Sequence, residues 1–531
     1  MVREEILKIC VEKSVLLDNE ILGVLSEVKD LGVVRLVIEK IKNQTNKRFI
    51  TREVLRSNKD MLENFLQGIG ENSEHLKSLK VKLGLNLEIS KTTCSCAEIK
   101  PDFGNVKVAS SSPTFGKALV VKDFVTHFRN RFNSFRNVLD VHPKLKNLIS
   151  INKLGANKGQ VSIIGLVFDK RISKNKNIIL DVEDLTGRTK LLINNSKPEL
   201  YERAQDICLD SVIGFNCTGS NNFFFVNDFV FPEAILDMRK KSPLDESVLF
   251  IGDLHFGSKK FLKEEFLNFI EYLNGNLNED PEIDKIKYLF IVGDIVTGVG
   301  NYPNQEKDLE IGNLEQQFEE IAKLLGKIRK DIKIIICPGN HDGVRLMEPQ
   351  PLFSEKYAWP LHDLENVVLV ENPSNINIGS FEDFEGFNVL MYHGFSYFYY
   401  ARNIPSLISG NAIDSPEKIM QYLLMNRHLA PTHSSVQSYP CEKDAHMIRQ
   451  IPDIFVSGHT HKSGVSYFNN ILLVSVSTWE EMTPYQEKFG NTPDHCKVPM
   501  INLKTRAVKI LDFEKPAQKT GSKEVEMEAI E

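Results

Sequence analysis

Cysteine is scarce, with 8 in 531 residues. That is too few for a disulfide framework in so long a chain and suits a reducing compartment. Neither sign of charge dominates: 65 Lys and Arg face 71 Asp and Glu, a formal net charge of -6. No global basic field therefore draws the molecule onto nucleic acid, and any phosphate binding must be local. No apolar run approaches the roughly 20 residues of a membrane-spanning helix. Arg3, Glu4 and Glu5 interrupt the start where a signal peptide would place its apolar stretch. These absences lead to the expectation of a soluble, cytoplasmic protein with no membrane partner. What remains is a globular composition, 42% hydrophobic, 26% charged and 9% aromatic, in a chain long enough for three to four domains at roughly 150 residues each.

Residues 1–85 carry apolar side chains at spacings of three and four, as in Ile21, Leu22, Leu25 and Val28, which predicts a small helical domain. Over 86–118 the periodicity fails and Ser110, Ser111, Ser112 and Pro113 cluster, the composition of a flexible linker. Cys94 and Cys96 lie there, at a spacing that is not the C-x-x-C of zinc or redox sites, and are read as loop thiols. Residues 119–240 open with Phe124, Phe128, Phe132 and Phe135 at helical steps beside Lys122, Arg129, Arg131 and Arg136. The rings are read as a core stripe under a solvated charged face rather than as a single-strand platform. Five β-rich runs follow between Gly159 and Pro232, which predicts a small barrel. An oligonucleotide-binding fold is the natural five-stranded candidate, and it can serve either nucleic acid or protein docking.

Residues 241–513 alternate apolar strand-like runs with helical stretches, an α/β texture, and 514–531 alternate Lys and Glu as expected of a disordered tail. Within the α/β region five apolar runs each end in metal-ligating residue types. They are Gly252-Asp253-Leu254-His255, Gly293-Asp294, Gly339-Asn340-His341-Asp342, His393-Gly394 and Gly458-His459-Thr460-His461. A strand followed by a glycine turn delivers its last side chains to the carboxyl edge of a sheet, where ligands gather in open α/β folds. Each motif alone is commonplace. Together, in this order, they supply carboxylate, imidazole and amide donors without a thiolate, a set that suits Mn, Fe or Zn rather than Ca. Two such cations roughly 3.5 to 4 Å apart would polarise a phosphoryl group, lower the pKa of a bridging water and hold the attacking and leaving oxygens in line.

On these motifs the chain resembles the calcineurin-like metallophosphoesterases, a β-sandwich flanked by helices. The resemblance implies that Asp253, His255 and His461 bind one metal, that Asn340, His393 and His459 bind the other, and that Asp294 bridges both. It leaves His341 to protonate the leaving oxygen, with Asp342 expected to orient it. The run from Gly293 to Glu306 departs from the protein phosphatases, whose second motif carries an Arg, and is similar to the small subunits of archaeal family-D DNA polymerases. Pro338 to Arg345, Glu348-Pro349-Gln350-Pro351, Arg427 to Pro431 and Ser477-Thr478-Trp479 agree with that family. This narrower resemblance implies a 3′-to-5′ proofreading exonuclease activated by manganese. Its implied partners are a large polymerase subunit and the 3′ end of single-stranded DNA, with a sliding clamp as a further candidate. The alternatives are a non-catalytic structural subunit and a phosphatase or nucleotide phosphodiesterase. One departure stands out: Phe395-Ser396-Tyr397-Phe398 follows His393-Gly394 where a basic residue and acids are expected, so these rings either stack on frayed bases or pack in the core.

Overall fold

The structure is a computed structural model that describes residues 106–109 and 118–514, except 157–158, 221–222, 278–279 and 489, with scattered positions between 2 and 50. Cys94, Cys96 and the tail beyond Glu514 lie outside the described residues. The chain divides into two units, residues 1–97 with 354–363, and the remainder. The first contains the helix Val2–Glu12, which buries Ile6, Ile9 and Cys10, and a parallel pair of two-residue strands, Leu16–Leu17 and Phe49–Ile50.

The second unit carries the five motif segments. Its heart is a sandwich of two six-stranded sheets. One runs in the order Val367–Leu369, Lys333–Cys337, Ile286–Val292, Ser247–Ile251, Lys497–Asn502, Val508–Asp512. The first four of these strands are parallel and the last two antiparallel. The second sheet runs Gly464–Phe468, Ile471–Ser475, Ile454–Ser457, Phe387–Tyr392, Ser374–Ile378, Val106–Val108. That last edge strand lies inside the segment read as a linker, with Val106 buried. Period-two alternation explains the layering. Val248, Phe250, Tyr288, Phe290 and Val292 from one sheet pack against Val389, Met391, Ile454, Val456 and Val474 from the other. The intervening residues Leu249, Ile251, Leu289 and Ile291 are fully buried on the opposite face as well, which is why these strands read as unbroken apolar runs.

Helices cover the outer faces. Leu314–Leu325 starts where the Asn313 side chain accepts the Gln316 backbone N–H at 3.0 Å, a cap that satisfies one of the orphan donors of the first turn. Pro416–Asn426 begins with its proline in the first turn and stops at Arg427, whose φ of 50° ends the helix.

The five strands expected between 159 and 232 close into a barrel ordered Val161–Ile172, Ile178–Asp184, Gly187–Ile193, Phe223–Val230, Val212–Ser220. The helix Pro198–Gln205 sits between the third and fourth strands in sequence. Hydrogen bonds fasten the barrel to the sandwich: Ser211 Oγ donates to Asn426 Oδ1 at 2.9 Å in the interior, and Tyr422 donates to the Asp206 carbonyl at 2.8 Å in a half-buried position.

On the helix Val121–Leu139 the stripe is core at its second half, with Phe132 and Phe135 buried against Leu145, Ile164 and Val230, while Phe128 packs at that cluster's edge and Phe124 is half-buried. Its charged face is not wholly solvated. Arg131 is buried and its Nε donates to Asp444 Oδ2 at 2.6 Å, while Nη1 donates to the Pro431 carbonyl at 2.8 Å. Desolvating a guanidinium is tolerable only with such pairing, and sequence periodicity cannot reveal a partner more than 300 residues away.

Candidate metal centre

All five motif segments follow directly on strands, at the same edge of the two sheets. The first two turns are bonded to each other: Asp253 N–H donates to the Gly293 carbonyl at 3.0 Å and His255 N–H to the Asp294 carbonyl at 2.9 Å. The backbone at the ligands is unusual. Asp253, His255, Asp294, His459 and His461 all have positive φ, between 48° and 70°. Non-glycine residues are held there only where the surroundings over-determine them, at a cost of about 1–3 kcal/mol each. Glycine is required beside them for space. A Cβ on Gly293, itself at φ 78°, would collide with His393 Nδ1, and a Cβ on Gly339 would collide with the Asp294 carboxylate.

The expected ligands converge. Asp253, His255 and His461 form one group, and Asp294, His393 and His459 a second, each with ligand atoms within 4.8 Å of one another. His461 Nε2 lies 3.1 Å from His255 Nε2 and 3.6 Å from Asp253 Oδ1. Asp294 Oδ2 lies 3.3 Å from His393 Nε2 and 3.9 Å from His255 Nε2, between the two groups. Its other oxygen accepts the His341 backbone N–H at 2.7 Å. Asn340 Oδ1 faces His393 Nε2 at 3.1 Å. His393 Nδ1 donates to the Val292 carbonyl at 3.0 Å, so its Nε2 is the nitrogen presented to the site. Asp253, His255, Asp294 and His393 form a buried floor, with Asn340, His341, His459 and His461 half-buried at the mouth.

The charges fit cations. Asp253 and Asp294 are 0% and 2% exposed, and among the described residues no lysine or arginine forms an ion pair with either. Burial, reinforced by Asp294, pushes the Asp253 carboxyl well above its ordinary range. Burial would do the same to Asp294, but the His393 and His341 rings hold it well below. His393 is pushed up to about 10 because Asp294 and Asp253 outweigh burial, whereas burial and neighbouring imidazoles hold His255 down at about 3. Imidazoles and carboxylates gathered without a lysine or arginine are the donor types that divalent metals take, and binding a cation there would displace the proton that His393 shares with Asp294.

His341 joins His255 and Asp294 in a third close group. Its Nδ1 donates to the Thr297 carbonyl at 3.0 Å and lies 3.2 Å from Asn301 Nδ2. The expectation that Asp342 orients it is corrected here. Asp342 is buried and bonds backbone instead, accepting from Val296 N–H at 3.0 Å and Gly339 N–H at 2.7 Å. The adjacent backbone amides claim the carboxylate and leave the ring to Thr297 and Asn301.

Further residues position the ligands, among them Gln350, Thr478 and Trp479 from runs that carry the family resemblance but gave no sign of this role. Asn372 Oδ1 accepts the His393 N–H at 2.9 Å, and Gln350, from the Pro349-Gln350-Pro351 run, donates to the Gly339 carbonyl at 3.0 Å. Thr478 and Trp479 both donate to the Asp253 carbonyl, at 2.8 and 3.0 Å. The Gln486 amide nitrogen lies 2.8 Å from His461 Nδ1. Cys337, at the end of its strand, is fully buried and burial raises its thiol well above the ordinary value, as befits a core residue rather than a nucleophile.

A two-sheet sandwich whose strand ends gather these histidines and carboxylates defines a calcineurin-like phosphoesterase domain, and that family's model matches residues 247–463. A domain of this class implies divalent metal ions. The whole chain is more specific. It is 34% identical over 397 residues to the DNA polymerase II small subunit of Methanothermobacter thermautotrophicus, covering 74% of this chain and 80% of that one. It is 33% identical over 460 residues to the Pyrococcus abyssi protein of the same name, covering 84% and 72%. The chain belongs to the DNA polymerase II small subunit family. A solved archaeal phosphodiesterase aligns with 50% of this chain and 98% of its own at 12% identity and a TM-score of 0.25, too distant to bear on the site. No helix among the described residues is long and apolar enough to cross a membrane.

Proposed function

We propose that this chain is the 3′-to-5′ exonuclease subunit of a two-subunit DNA polymerase, removing nucleotides from primer ends through two divalent metal ions, manganese by preference. The observation that supports it most is the completeness of the donor set, Asp253, His255, Asp294, Asn340, His393, His459 and His461, around a bridging carboxylate oxygen. Asp253, His255 and His461 would hold one cation, Asn340, His393 and His459 the other, and Asp294 both. Bound there, the cations supply Lewis acidity and an activated water for in-line displacement at phosphorus.

The chain's own groups do the rest. His341, oriented by the Thr297 carbonyl that accepts its Nδ1–H, offers Nε2 to the leaving 3′ oxygen of the penultimate nucleotide, while Asn301 Nδ2 donates to the same carbonyl. The second-motif run lacks the Arg of the protein phosphatases, which favours a diester substrate over a phosphoprotein. The barrel, read as an oligonucleotide-binding fold, and the sandwich offer surface to a large polymerase subunit; single-stranded DNA and a sliding clamp complete the proposed partners.

The test incubates the purified chain, with and without manganese, on a 5′-labelled primer-template carrying a 3′ mismatch. Metal-dependent stepwise shortening that is lost in Asp294→Ala is expected. Intact primers even with the large subunit added would instead point to a structural subunit or a phosphoesterase acting on other substrates.

A further inference from the structure

The aromatic run after His393-Gly394 is sorted by the fold into two pairs with different fates. Tyr397 and Tyr400 are fully buried in the core under the second sheet, together with Tyr392, Ile419 and Leu423. Ser396 pins the turn, its N–H donating to the Tyr392 hydroxyl oxygen at 3.1 Å and its Oγ to the Leu429 carbonyl at 2.7 Å. With that anchor fixed, Phe395 and Phe398 turn the other way. Both are half-buried and both rings lie against His459, with centroids 5.4 and 5.3 Å away. His459 is at the mouth of the site, so the two rings border the path to the metal ligands. Arg402, exposed on the same short helix, holds its guanidinium 5.4 Å from the Phe398 centroid.

Two partly exposed aromatic faces and a cation at the rim of a phosphodiesterase site are the elements with which proteins hold single-stranded ends: rings take the base and the cation takes the backbone. Core packing explains Tyr397 and Tyr400 but not why the other two rings stop at the mouth, where partly exposed phenylalanine gains little from burial. Resting on the exonuclease reading, we propose that Phe395 and Phe398 seat the base of the 3′-terminal nucleotide, with Arg402 against the strand's phosphates, so that the end is gripped by its base without regard to sequence. An end that is unpaired can reach this seat, and a base-paired end cannot until it frays.

The experiment compares the full chain with manganese on 5′-labelled single strands ending in either a normal 3′ nucleotide or an abasic one. The readout is the ratio of kcat/KM between the two ends. Stacking on an aromatic ring makes the wild-type ratio about tenfold in favour of the base-bearing end. Phe395→Ala and Phe398→Ala bring the ratio close to one, through KM, and Phe395→Trp restores it. Manganese per chain is measured alongside, because rings that only shielded His459 would on removal cost metal and slow both ends in parallel. A wild-type ratio near one, or such a parallel loss, overturns the inference while leaving the exonuclease reading intact. Should the wild type shorten neither end, the exonuclease reading fails by itself and the same base-to-abasic ratio is read as Kd by anisotropy. A ratio there that Phe395→Ala does not move overturns the seat as well.

Discussion

Two buried clusters of histidine and carboxylate lie in the same unit, and they are built to opposite ends. At the strand ends, His255 and His461 face each other across 3.1 Å, and two buried carboxylates are paired only with histidine rings, no lysine or arginine among the described residues reaching either. Behind them, His428, His446, Asp444 and Glu348 are equally buried but closed on themselves. His428 Nε2 donates to Asp444 Oδ2 at 2.9 Å while its Nδ1 accepts the Ala430 N–H at 3.0 Å. His446 Nε2 lies 2.7 Å from Glu348 Oε2, and the Tyr392 hydroxyl donates to the same oxygen at 3.2 Å. Arg131 supplies the countercharge. The difference teaches that residue type does not make a metal site. What does is a set of donor atoms aimed at one space without a lysine or arginine to pair them; where an arginine and a chain of hydrogen bonds join the groups to one another, the same side chains become a structural joint.

The comparison breaks most sharply at its two centres. Asp294→Ala removes the carboxylate that lies between the two ligand groups and is proposed to serve both, and is expected to cost roughly 1,000-fold or more in phosphodiester hydrolysis, measured as rate per folded chain. Arg131→Ala leaves buried Asp444 with only histidines and a backbone N–H as partners, and is expected to cost about 3–5 kcal/mol of stability by denaturant titration, with bound metal per folded chain unchanged. If the arginine variant lost metal instead of stability, the two clusters would not be separable.

His341→Ala is expected to slow the chemical step by roughly 100-fold with both cations retained, checked by metal analysis beside single-turnover rates. Acid sensitivity sharpens the contrast further. Against burial, Arg131 and His428 hold the Asp444 carboxyl well below its ordinary range. A carboxyl whose folded value is depressed contributes stability above its unfolded value of about 3.9, and that contribution is lost as pH falls from there toward the folded value. Unfolding midpoints between about pH 5 and pH 2 should therefore fall less steeply in Arg131→Ala than in the wild type. The smallest effect is expected of Cys94→Ser with Cys96→Ser, which should leave hydrolysis unchanged if those thiols are inert.

Much of this was legible in the sequence, for a physical reason. Strands buried on both faces announce themselves as apolar runs, so Ser247–Ile251, Ile286–Val292 and Ile454–Ser457 and the glycine turns after them could be read directly. Ser374–Ile378 could not, because its asparagines alternate with isoleucines on a strand paired antiparallel on both sides, and Val106–Val108 is too short to rise above its serine-rich surroundings. The ligands were readable because each follows its strand within a few residues. The role of the residues that orient them was not: Thr297, Asn301 and Gln350 lie in runs that carry the family resemblance, but that they, with Asn372 and Gln486, hold the ligands is set by hydrogen bonds across the fold. Asp342 shows the limit most plainly, since adjacency to His341 in sequence suggested a pairing that two backbone amides pre-empt.

The most direct measurement is the number of manganese ions bound per folded chain, by equilibrium dialysis, in the wild type and in Asp294→Ala. Two in the wild type and fewer than two in the variant are expected. Fewer than two in the wild type, or two retained without the bridging carboxylate, would contradict the two-cation centre on which the proposed hydrolysis rests.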